Sequence, residues 1–136
     1  MKKLHKDWPE FELGGPTPDP VYDLGYALDD ADQRMAQPNP PRVDPRITLA
    51  DVEKVTHYRI FYGGVEWTPE AKFGGSELDM LVIGKLKDRR WFYVSAGNDY
   101  TGWGCQDYSE VRIAPTRKQL VEQALTDSDR RALGIK

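Results

Sequence analysis

Leu78-Asp79-Met80-Leu81-Val82-Ile83-Gly84-Lys85-Leu86, residues 78–86, is the stretch that decides the fold. Leu78, Met80 and Val82 alternate with Leu81 and Ile83, so the run is apolar on both faces. Such a strand must be covered from two sides and belongs in the middle of a sheet. Lys87-Asp88-Arg89-Arg90 then reads as a charged turn. Trp91 opens a second strand, rich in aromatic, β-branched and small side chains, with no breaker before Gly97. Upstream, Tyr58, Ile60 and Tyr62 alternate with His57, Arg59 and Phe61, a strand pattern with two usable faces. Gly63-Gly64 has the length of a tight hairpin turn into Val65-Glu66-Trp67. Glu110 to Ile113 returns as a further strand. The spacing predicts a mostly antiparallel sheet from about residue 56 to residue 113.

Helical signals flank that sheet. Asp19-Pro20 is a helix start, with aspartate as cap and proline at the first helical position. Val21, Leu24, Leu28, Ala31 and Met35 recur at helical spacing until Pro38. Asp23, Asp29, Asp30 and Asp32 populate the rest of that helix as a solvated acidic face; a calcium loop would need a glycine and a twelfth-position glutamate that are absent. Thr48 with Asp51 resembles a capping box, predicting a short helix near 49–55. Thr116 with Gln119, and Thr126 with Asp129, mark two helices in the tail, and Gly134 stops the second. The fold class is therefore α+β: helices from both ends packed on an antiparallel sheet. Eight of the ten prolines lie in the first 45 residues, so residues 1–46 read as a proline-rich arm carrying one helix and 47–136 as the core domain. Within the arm, 1–18 are expected to be irregular and 38–46 a stiff connector.

Composition excludes several function classes. Nineteen basic residues against 22 acidic ones give a net charge of −3, which provides no broad positive field for a phosphate backbone. No apolar run approaches the ~18 residues of a membrane helix. The basic N-terminus has no apolar stretch behind it, so it is not expected to be a signal peptide. A single cysteine permits no intramolecular disulfide and suits a reducing, cytoplasmic location. Gly102-Trp103-Gly104 lacks the lysine and glycine spacing of a phosphate loop, and no dinucleotide fingerprint occurs. One cysteine and two distant histidines do not make a closed zinc set, so neither metal nor cofactor is expected.

The residues after Gly97 form a glycine-punctuated loop carrying Tyr100, Trp103 and Cys105. Either these fold back to plug a core or they are presented to a partner. Ser95-Ala-Gly-Asn-Asp-Tyr-Thr-Gly-Trp-Gly-Cys-Gln106, with Ala114-Pro-Thr116 and Leu125-Thr-Asp-Ser-Asp-Arg-Arg-Ala-Leu-Gly134, resembles small uncharacterised proteins of actinobacteria and their phages. The resemblance covers the C-terminal half and its distinctive part is Asp-Tyr-Thr-Gly-Trp-x-Cys-Gln. The resemblance implies a second cysteine at the position where this chain has Asn98, so a two-cysteine chemistry is not expected here. The resemblance implies a phage or mobile-element setting and no activity.

Three functional expectations follow. The first is a non-enzymatic protein-binding or structural accessory protein. Its contacts would be Asp99, Tyr100 and Trp103 in the loop and Trp8 and Phe11 in the arm, because Trp and Tyr supply contact area at low entropic cost. Its partner would be another protein, with a homo-oligomer as one form of that, and no membrane. The second is a single-stranded nucleic-acid module using Lys85, Lys87, Arg89 and Arg90 beside Trp91, Tyr93, Tyr100, Trp103 and Tyr108. The charge balance argues against it. The third is a cysteine-dependent enzyme in which His57 activates Cys105, set against the plainer role of Cys105 as a small buried hydrophobe.

Overall fold

The computed structural model describes residues 3–8, 19–75, 77–99 and 106–135. In chain order the elements are α1 (Pro20–Asp30), β1 (Asp32–Met35), β2 (Val52–Tyr62), β3 (Val65–Glu66), β4 (Leu78–Leu86), β5 (Trp91–Asp99), β6 (Gln106–Ala114), α2 (Arg117–Ala124) and α3 (Asp127–Leu133). One six-stranded sheet runs β1-β6-β5-β4-β2-β3. All its neighbours are antiparallel except β1 with β6. This is the α+β architecture that the alternating runs predict, with β4 and β5 central.

The two faces of β4 go to two separate clusters. Met80 and Val82 join Ile60, Phe92, Val94 and Val111 beneath Val21, Leu24 and Leu28 of α1. Ile83, on the opposite face, packs with Tyr93, Leu120, Val121 and Leu133 beneath α2 and α3. Fully buried side chains such as Leu24 and Leu28 each contribute roughly 1.5–3 kcal/mol. The β2–β3 turn uses Gly63 and Gly64 at φ 58 and 81, as a two-residue hairpin of this twist requires. Thr126 and Asp129 form the expected capping box, and Gly134 ends α3 in the left-handed region.

Several expectations are corrected. The periodic run to Met35 is not one helix: α1 stops at Asp30, and residues 32–35 become an edge strand on β6. Their alternation is hidden in the sequence because the inward residue is a polar one, Gln33. Its buried amide donates to Leu28 O (2.8 Å) and Ile47 O (2.9 Å) and accepts from Ile47 N (2.7 Å). Residues 38–46 are no free connector, since Met35 N donates to Pro41 O and Val43 N donates to Gln33 O, covering the β1 edge. Arg46 donates to the carbonyls of Leu28 and Asp29, which the end of α1 leaves without helical partners. α1, β1 and residues 38–46 thus share one core and one sheet with the residues that follow. The helix expected at 49–55 shrinks to one 3-10 turn at Leu49–Asp51; the β-branched Val52, Val55 and Thr56 go to β2 instead.

Trp8 requires a further correction. It is not an anchor held out to a partner, being 0% exposed within the domain's own core. Leu4 O accepts from Val55 N at 2.7 Å, which ties residues 3–8 to β2. Trp8 and His5 meet Tyr58 edge-on at centroid distances of 5.4 and 4.9 Å. Burying so large an apolar ring against the sheet outweighs presenting it to water.

Candidate functional site

Helix α1 sets the site. Asp19 caps it, its carboxylate accepting from Val21 N at 2.9 Å, and Pro20 occupies the first turn. With Val21, Leu24 and Leu28 turned to the sheet, Tyr22 and Tyr26 must fall off that stripe, one turn apart. They are 52% and 59% exposed. Among the described residues only Tyr108 and Val65 are other exposed large hydrophobics.

On one side of the tyrosine pair lies a cleft of about 300 Å³ between α1 and the ends of β5 and β6. Tyr22, Asp23, Tyr26, Asp30, Asn98, Asp107 and Tyr108 are among its lining residues. Two hydrogen bonds fix its floor. Ser109 Oγ donates to Ala27 O at 2.7 Å, joining β6 to α1, and Asn98 Oδ1 accepts from Leu78 N at 2.7 Å, joining β5 to β4. Tyr108 stands opposite Gly97 in the sheet, and any Cβ at Gly97 would meet its ring at 2.7 Å, so glycine is required there. On the other side of the pair, a second hollow is lined by Tyr22, Gly25, Tyr26, Asp29, Thr48 and Leu49. The two tyrosines thus form a ridge between two hollows.

The first cleft is acidic. Asp23 is half-buried and accepts a hydrogen bond from the Tyr62 hydroxyl. Burial pushes its carboxyl above the usual range, the Tyr62 bond pulls it back, and Asp19 pushes it up again. Burial, reinforced by Asp23, raises the Tyr62 phenol. Asp30 and Asp107 are exposed. Among the described residues no lysine or arginine lines this cleft, and no ion pair reaches Asp23, Asp30 or Asp107.

The residues singled out from sequence fare unevenly. Phe11, Tyr100, Trp103 and Cys105, and the side chain of Asp99, lie outside the described residues. The backbone of Asp99 pairs with Gln106 at the ends of β5 and β6. Lys85, Lys87, Arg89 and Arg90 do gather at the β4–β5 turn, at the opposite end of that hairpin from the cleft. Arg90 is bound to Asp88 at 2.8 Å. The aromatics beside that turn are committed to the core: Tyr93 is buried and Trp91 packs against the α2–α3 cluster. His57 lies on β2 with Nδ1 3.1 Å from Thr56 Oγ1, and burial, with Arg117 nearby, holds its pKa below the usual value. Among the described residues no group of three His, Cys, Asp or Glu side chains is placed to hold a metal. None of their helices is long and apolar enough to cross a membrane.

Tyr22 and Tyr26 are the residues that sequence reasoning missed. Their signal was present: two aromatics at i and i+4, off the apolar stripe of an otherwise acidic helix. No known protein family, curated protein or solved structure matches the chain.

Proposed function

We propose that the chain is a non-enzymatic binding or accessory protein, which holds another protein on the tyrosine ridge of α1 and the acidic cleft beside it. The observation that carries this reading is the placement of exposed aromatics. Of the four large hydrophobic side chains left exposed among the described residues, Tyr22 and Tyr26 form the ridge and Tyr108 borders the same cleft. Tyrosine is enriched where interfaces concentrate their binding energy, because it offers apolar area, a hydroxyl and few rotatable bonds. A phage or mobile-element setting belongs to the same proposal and rests on the resemblance of residues 95–106, 114–116 and 125–134, while a cytoplasmic location rests on the single cysteine.

The test is a selection of displayed random dodecapeptides on the full-length chain. Peptides should be enriched, and they should lose binding to the Tyr22→Ser/Tyr26→Ser double variant. Absence of enrichment, or peptides indifferent to both substitutions, would overturn the reading.

A further inference from the structure

The charge of the cleft says what kind of segment fits it. We infer that the partner inserts an arginine or lysine side chain from a basic segment into the cleft between α1 and the β5–β6 end; this rests on the docking reading above.

The first argument is charge complementarity. Asp23, Asp30 and Asp107 come from two elements, α1 and β6, and face one hollow whose described lining contains no basic residue. At neutral pH a carboxylate raised by burial, as Asp23 is, sits where its charge is poorly solvated. A cation entering the cleft would relieve that, and an anionic or apolar side chain would worsen it or leave it unchanged. The second argument is the company the carboxylates keep. Tyr22 and Tyr26 line the same hollow, and tyrosine faces attract guanidinium and ammonium groups as well as apolar stems. An arginine or lysine side chain is apolar along its stem and cationic at its tip, matching a cleft with tyrosine walls and carboxylates.

The third argument concerns size. At about 300 Å³ the cleft is at the lower limit of pockets that enclose a small molecule. The ridge continues past it to the second hollow, where Asp29 adds a further acidic group. A free amine or guanidine would fill the cleft and leave the ridge and second hollow unused. A chain segment covers all three.

The peptide selection, carried out at low ionic strength, separates the outcomes. Enriched sequences should share an arginine or lysine at one position. In a synthetic copy of an enriched peptide, changing that residue to glutamine should weaken binding at least about tenfold, the scale of one charge-assisted hydrogen bond. Asp107→Asn, an exposed change that leaves the fold alone, should weaken binding in the same direction. Asp23→Asn, which keeps an acceptor for Tyr62, should do so more strongly. Glu122→Gln, exposed on α2 and outside the cleft lining, should not. Enriched peptides with no shared basic residue, or binding unmoved by both aspartate changes, would overturn this inference while the docking reading stands. No enrichment at all would overturn both. Agmatine or cadaverine competing as effectively as the peptide would replace the chain segment with a small cation.

Discussion

The structure around the two ends of the β4–β5 hairpin gathers aromatic and charged residues and uses them in opposite ways. At the turn end, Trp91 and Tyr93 face α2 and α3, and Arg90 is paired with Asp88. The Tyr93 hydroxyl donates to Asp129 at 3.1 Å, pinning α3 to the sheet. At the far end, Tyr22 and Tyr26 face water and Asp30 and Asp107 have no basic partner among the described residues. An aromatic beside a cation in sequence reads as a binding surface, yet here that pairing belongs to the packed end. The lesson is physical: a side chain already satisfied by its own fold has little left to offer a partner. The comparison can be broken by showing that the packed aromatics are dispensable or that the exposed ones are structural.

The largest effect is expected at Trp8, whose ring is fully buried in the core. Trp8→Ala should lower unfolding stability by about 3–5 kcal/mol in a denaturant titration. Its ring packs edge-on to Tyr58 at 5.4 Å. Trp8→Phe should cost much less, because it keeps an aromatic ring in the same site. A near-neutral Trp8→Ala would return the arm to the role of a detachable contact.

How much of this was legible follows the same division. The alternation of 78–86, the glycine pair at 63–64 and the caps at Asp19, Thr116 and Thr126 are local signals, and each produced its expected element. Where long-range contacts decide, the local signal failed. Met35 fits a helical stripe and a strand equally, and β6 resolves the tie by offering an edge to pair with. Trp8 sits in a segment that no periodicity could place, and only the position of Tyr58 and the backbone bond from Val55 show why it is buried. The cleft was beyond reach because Asp23 and Asp107 are far apart in the chain and meet only once α1 lies across β6. The ridge alone was readable, as aromatics displaced from an apolar stripe.

A smaller effect should come from Tyr93→Phe. Removing the hydroxyl leaves the buried ring in place and takes away its hydrogen bond to Asp129, which also serves the α3 cap by accepting from Thr126 N at 3.1 Å. Asp129 keeps that second donor, so the loss should be about 1 kcal/mol. Amide exchange should localise it, with protection falling in α3 before β5. A loss spread evenly over the sheet would mean that the hydroxyl is not what fixes α3.

The smallest effect is the most informative. The Tyr22→Ser/Tyr26→Ser double variant removes two rings from the exposed side of α1. Serine and tyrosine have similar helix propensity, so the exchange leaves the helix itself nearly unchanged. Neither ring belongs to either buried cluster. Each substitution should therefore shift stability by no more than about 0.5 kcal/mol, as surface changes do. Under the docking proposal the two rings, 52% and 59% exposed, are contact area for a partner and not packing for the fold. A loss well above that limit would show that the ridge braces α1 and would place Tyr22 and Tyr26 with Trp91 and Tyr93. A neutral double variant that also loses its peptides would leave binding as the only property the two tyrosines serve.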